Sequence, residues 1–171
     1  MRIAVSGSHC CGKSTLAADF LAAHPEYAHE PEPYEWLEEI EPLAGTPSAD
    51  DFVRQLAFGV ERLRGFAPGA RLIVEHSPAD FIAYLRALGA HDLANGSLPV
   101  AEEGLRHLDL IVYVPAEIDV PDCEDPELRR VADEWLGEIY AGGELELPAV
   151  IEVRGTPAER LAAVEKALFM A

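Results

Sequence analysis

Gly7-Ser8-His9-Cys10-Cys11-Gly12-Lys13-Ser14 is the stretch that decides the fold. It has the form G-x-x-x-x-G-K-[ST] and follows directly on the apolar run Ile3-Ala4-Val5. Each part of the pattern has a mechanical task. The glycines let the chain wrap so that successive backbone N–H groups point inward at an anion. Lys13 brings a compact positive charge to β- and γ-phosphates, and the Ser14 hydroxyl can ligate Mg²⁺. A helix predicted over Ser14 to Ala23 aims its positive dipole end at the same phosphates. Strand before and helix after are the context such a loop requires. Gly7, Ser8, His9, Cys10, Cys11, Gly12, Lys13, Ser14 and Thr15 are therefore the expected phosphate-binding segment.

Outward from this loop, strand-like and helix-like segments alternate, the mark of a parallel α/β sheet. Strand one is Arg2 to Ser6, and His24-Pro25 stops the first helix. A short second strand is expected at Tyr27 to Glu30. An acidic, proline-broken stretch follows to Pro47, with a short helix at Tyr34 to Ile40. A long helix is expected from Ala49 to Phe66, with Phe52, Leu56, Val60 and Leu63 on its core face. Leu72-Ile73-Val74 reads as a strand covered on both faces. Ser77 caps a helix with Pro78 in its first turn, and Gly89 ends it. Asn95-Gly96 reads as a turn, followed by a short helix from Val100 to His107. Leu110 to Val114 is a further buried strand. Pro115 to Glu124 is a loop, and Asp125-Pro126 opens a helix to about Tyr140. Val150 to Val153 is the last strand, and Thr156 to Glu159 is a capping box opening the final helix. The expected architecture is one domain over residues 1–171: a three-layer α/β fold of the P-loop NTPase type. Its five-stranded parallel sheet carries helices on both faces and a short lid.

Composition bounds the partners. The formal net charge of −18 argues against duplex nucleic acid, which needs clustered Lys and Arg. Lys13 and Lys166 are the two lysines, and one lies in the loop. No apolar run approaches the roughly 20 residues of a membrane span. The chain enters a strand at once, unlike a signal peptide, so a cytoplasmic location is expected. Adjacent Cys10 and Cys11 cannot form an ordinary disulfide with each other, and no zinc-ligand spacing exists. Both are read as packing residues, with a redox-sensitive loop as the alternative.

In an open parallel sheet, ligands bind at the carboxyl ends of the strands. Glu75 ends a buried apolar strand beside the loop and is expected to hold Mg²⁺ together with Ser14. Glu30 and Glu32 follow strand two, where a carboxylate can take the proton of an acceptor hydroxyl. Prolines on either side stiffen that segment. Arg129 and Arg130 begin the helix after the lid and are candidates for stabilising a transferring phosphate.

These motifs together resemble the small P-loop kinases of the nucleoside and nucleotide kinase superfamily. The resemblance is closest to the AAA-type ATPase-like domains that include the ribosylnicotinamide kinase domain, and it spans nearly the whole chain. Gly7 to Thr15 anchors it. Glu75-His76-Ser77-Pro78-Ala79-Asp80-Phe81-Ile82-Ala83-Tyr84 is similar to the family's stretch after the third strand. Glu30-Pro31-Glu32-Pro33-Tyr34-Glu35-Trp36 resembles the Glu-Pro and Trp segment of deoxynucleoside kinases. There the Glu serves as base and the Trp region lines the nucleoside pocket. Phe52, Gln55 and Arg62 stand where such kinases place substrate contacts on a long helix. Asp125 to Arg129 resembles the lid-to-helix region, and Thr156 to Leu161 the adenine-side loop. His76 stands where the family usually has an Arg, and the lid carries the acids Glu117, Asp119, Asp122, Glu124 and Asp125. The resemblance implies an ATP- and Mg²⁺-dependent kinase acting on a nucleoside, nucleotide or ribosylnicotinamide-like acceptor. In that reading Lys13 holds phosphates, Glu32 or Glu30 is the base, and Arg129 or Arg130 stabilises charge. A nucleotide-binding ATPase switch acting on a protein partner, or a structural nucleotide-binding remnant, are the alternatives.

Overall fold

A computed structural model describes residues 1–40, 47–117 and 123–169. Its strands are β1 (Arg2–Ser6), β2 (Ala28–Glu30), β3 (Leu72–Glu75), β4 (Leu110–Tyr113) and β5 (Ala149–Glu152). Its helices are α1 (Lys13–Ala23), α2 (Pro33–Ile40), α3 (Ala49–Gly65), α4 (Pro78–Ala87), α5 (His91–Leu105), α6 (Pro126–Gly142) and α7 (Pro157–Leu168). All strand pairs are parallel, in the order β2-β3-β1-β4-β5. The expected three-layer architecture is what forms.

Alternation along the strands sends side chains to two separate cores. Ala4, Leu72, Val74, Ile111 and Tyr113 pack on one face, beneath α3, α4, α5 and α6. Ile3, Val5, Ile73, Leu110 and Val112 pack on the other, beneath α1 and α7. This is why the central strands β1, β3 and β4 read as apolar runs: both of their faces are covered.

Three helix starts are set by capping boxes: the expected one at Thr156, one at the expected Ser77 cap, and one at Ser48 not read from the sequence. Ser48 with Asp51, Ser77 with Asp80, and Thr156 with Glu159 each exchange side-chain and backbone hydrogen bonds.

Two expectations are corrected. Asn95-Gly96 is not a turn but lies within α5, which runs from His91 through Pro99 to Leu105. Tertiary packing overrides the local signal there. Gly104 of α5 fits so close to Val60 and Pro78 that an added Cβ would stand 2.6 and 2.7 Å from their side chains. Cys10 is not a plain packing residue: it is disulfide-bonded to Cys123, with Cα atoms 6.1 Å apart and 113 residues between them. Cys11 is the buried free thiol, and burial pushes its pKa up. Of the expected lid, Asp119 and Asp122 lie outside the described residues. Among the described residues no helix is long and apolar enough to cross a membrane.

Candidate functional site: a phosphate cradle facing an aromatic cavity

The loop between β1 and α1 lies where the strand order reverses about β1, the usual ligand position in such sheets. Gly7 and Gly12 have φ of +149° and +95°, conformations that favour glycine. Space demands Gly7 as well, because a Cβ there would meet the Val114 carbonyl oxygen at 2.4 Å. No side chain caps the first turn of α1, so its N–H groups are left for a ligand. The buried Ser8 hydroxyl also lacks a partner among the described residues. Cradle and orphaned donors suit a polyphosphate.

Lys13 is buried, and its ammonium donates to the Ser8 carbonyl at 3.0 Å. It also lies 3.7 Å from Glu32 Oε1. The Ser14 hydroxyl donates to Glu75 Oε2 at 2.5 Å, while His29 Nε2 lies 2.9 Å from Glu75 Oε1. The first contact brings together the two expected metal residues, from α1 and from the end of β3. A hydroxyl and a carboxylate form a hard oxygen donor set, which fits Mg²⁺. His9 belongs to the loop but turns aside. Its N–H donates to the Tyr84 hydroxyl at 2.7 Å, and its Nε2 lies 2.6 Å from the Glu124 carbonyl. Thr15 lines the adjoining cleft instead, with Arg129, Thr156 and Arg160.

Glu32 and Glu30 part company. Glu30 ends β2, is buried, and accepts two hydrogen bonds from Arg62, at 2.6 and 2.8 Å. The Arg62 guanidinium lies 4.8 Å from the centre of the Trp36 ring. Glu30, Arg62 and Trp36 thus form a strut between β2, α2 and α3. Both Glu30 oxygens are engaged by that guanidinium, which leaves Glu32 the less committed of the two carboxylates. Glu32, two residues on, lines a cavity of about 400 Å³ with Tyr34, Phe52, Gln55, His76 and Tyr84. Phe52 and Tyr84 stack in parallel, 4.7 Å apart. The Gln55 amide nitrogen is buried without a partner among the described residues.

His76 is the residue that sequence reasoning passed over. Burial alone would lower its pKa. The Glu32 carboxylate, 3.0 Å from Nε2, and Asp80, 2.9 Å from Nδ1, instead carry it up to about 9. For Glu32 burial opposes ionisation, yet His76 and Lys13 hold its carboxyl well below the usual range. The i, i+4 spacing of His76 and Asp80 at a helix start was the available signal.

The two arginines also separate. Arg129 is buried, and its Nε donates to the His9 carbonyl at 3.0 Å, so it braces the cradle. Arg130 is exposed and pairs with Glu127 and Glu134 on its own helix. A role for Arg130 in the site is not supported. A cation missed by sequence reasoning is Arg160, which donates to the Cys11 carbonyl at 2.8 Å and lies 3.2 Å from Glu117.

Residues 2–160 match an AAA domain family. The chain belongs to that family. Sequence comparison with curated proteins gives no match. Among solved structures, the AAA domain is similar to deoxyadenosine kinase from M. mycoides with bound dATP. The TM-score is 0.70 at 14% identity, covering 99% of this chain and 100% of that one. It is similar to the NadR protein in complex with NR, with a TM-score of 0.74, 18% identity and 99% of this chain covered. This chain spans 50% of that one. Thymidylate kinase from Ehrlichia chaffeensis aligns with a TM-score of 0.65 at 15% identity, over 98% of both chains. At these identities the likeness is one of fold: the P-loop kinase fold.

Proposed function

We propose that this AAA domain is an ATP- and Mg²⁺-dependent phosphotransferase. Its acceptor is a small hydroxyl-bearing molecule: a nucleoside, a nucleotide or a ribosylnicotinamide-like compound. One observation carries the reading. Glu32 lies 3.7 Å from Lys13 and lines the aromatic cavity, so a phosphate-binding cation meets a carboxylate at the mouth of a small-molecule pocket. The dATP-bound deoxyadenosine kinase of the same fold supports it.

Lys13 and the loop N–H groups bind the β- and γ-phosphates. Ser14 and Glu75 would hold Mg²⁺, which when bound would supply neutralising charge for the phosphates. Glu32 aligns the acceptor hydroxyl and takes its proton as the new O–P bond forms and the bond from the γ-phosphorus to the bridging oxygen breaks, with ADP leaving. Its depressed pKa makes it a weak base, which suits a loose phosphoryl-transfer transition state where positioning outweighs proton abstraction. An acceptor seated in the aromatic cavity would occupy the space beside Glu32 and so compete with water for the phosphoryl group. Arg129 acts through His9, as a brace on the cradle.

A nucleotide switch for a protein partner is the second reading, favoured by the outward-facing Arg130 and by His76 in place of an Arg. ADP release from Mg·ATP across nucleosides, nucleoside monophosphates and nicotinamide riboside separates the two. Stimulation by one acceptor class, lost in Lys13→Ala, is the expected result. A flat panel with slow Lys13-dependent hydrolysis favours the switch.

A further inference from the structure

Glu32 sits on the irregular Pro31-Glu32 link between β2 and α2, where no ladder or helix fixes it. Its two ion-pair partners among the described residues are Lys13 and His76, and both approach Oε1. The Lys13 contact is the looser, at 3.7 Å, and the phosphates compete for that ammonium. The His76 contact, at 3.0 Å, has no such competitor. Oε2 is thereby left for an acceptor.

His76 is itself fixed from behind. Its backbone takes the left-handed conformation, φ +75°, and its N–H donates to the Val5 carbonyl at 3.0 Å. Its ring tilts against Phe81. Asp80, fully buried, faces Nδ1 and accepts from the Ser77 N–H at 3.1 Å and from the Ser6 hydroxyl. The same carboxylate reaches the N–H of Gly7, the first residue of the cradle, at 3.4 Å. One chain of contacts therefore runs from Gly7 through Asp80 and His76 to Glu32. It ties the acceptor side to the phosphate side without passing through Lys13.

We infer that His76, backed by Asp80, is a positioning residue that keeps Glu32 in register with the phosphate cradle after Lys13 turns to the nucleotide. The inference rests on Glu32 being the acceptor-side carboxylate. A left-handed backbone tolerates glycine, so His76→Gly removes the ring without backbone strain. In that variant kcat falls about a hundredfold, the cost of roughly 1 Å of misplacement. KM for ATP stays within about twofold, since uniform nucleotide binding is untouched. Added imidazole, which fits the space left by the ring, restores part of kcat. An unchanged kcat overturns the inference. So does a fall in kcat matched by lost affinity for AMP-PNP and not relieved by imidazole.

A crystal structure of the wild type with Mg·AMP-PNP tests the same point without substitution. The His76–Glu32 contact is expected to persist near its present 3.0 Å while Lys13 leaves Glu32. A parted His76–Glu32 pair overturns the inference. Should the wild type transfer phosphate to no acceptor, the kinase reading falls and the inference with it; a parted pair in a protein that does transfer phosphate overturns the inference alone.

Discussion

The phosphate cradle and the acceptor cavity share a wall yet are built by opposite means. The cradle is made of backbone. Two glycines in positive φ and the uncapped first turn of α1 shape it, and they follow one another along a single short segment. The cavity is made of side chains from distant segments: Glu32 after β2, Phe52 and Gln55 on α3, and His76 and Tyr84 around α4. A backbone site tolerates little change anywhere in its few residues. A side-chain site can be retuned one residue at a time, so the acceptor side is where a P-loop kinase fold changes substrate.

The largest effects should come from the cradle. Lys13→Ala is expected to cut turnover by about a thousandfold or more, in line with loss of a single transition-state charge contact. Gly7→Ala should abolish AMP-PNP binding measured by calorimetry, because its Cβ would stand 2.4 Å from the Val114 oxygen. Retained affinity in Gly7→Ala would break the backbone account of that site.

On the acceptor side the effects should be smaller and selective. Glu32→Gln is expected to lower kcat about a hundredfold, the scale of a lost general base, with AMP-PNP affinity unchanged. Glu30→Gln sharpens the contrast between the two carboxylates. It breaks the bidentate pair with Arg62, so thermal melting should drop by several degrees while kcat per folded molecule changes by less than about threefold. A hundredfold loss of kcat in Glu30→Gln would reverse the assignment of base.

The Cys10–Cys123 bond tethers the tip of the cradle to the segment before α6. Reducing it, or making Cys123→Ser, frees one of several restraints on the loop, since Arg129 and Tyr84 also hold His9. KM for ATP should rise by no more than about threefold, with kcat unchanged. A loss of kcat would mean that the tether reaches the acceptor side too.

The smallest effect is one of pH. His76 titrates at about 9 in the folded chain against an ordinary 6.5. A raised folded value stabilises fully below about 6.5 and is lost as pH rises through about 9. Melting of the metal-free protein should therefore fall over that window, and His76→Gly should flatten the slope. A slope unchanged in the variant would remove His76 from the account.

The same contrast governs what could be read before the fold was known. The octapeptide, the Ser77 cap, the Thr156 to Glu159 capping box and the apolar strands are local signals, and each marks its element correctly. The meeting of Glu75 with Ser14 was legible because the end of the strand paired beside β1 lies next to the loop. The split between Glu30 and Glu32 was not, because it depends on Arg62 arriving from α3, 32 residues away. The Cys10–Cys123 pairing spans 113 residues, and no spacing rule encodes it. The helix across Asn95-Gly96 is likewise set by packing on α3 and α4 rather than by its own residues.

Acceptor-dependent ADP release, measured side by side for the wild type and Glu32→Gln, tests the central claim most directly. The wild type should respond to one class of ribosyl acceptor. Glu32→Gln should keep slow basal hydrolysis and lose the stimulation. Equal stimulation in both proteins, or in neither, would contradict a kinase whose acceptor side is organised by Glu32.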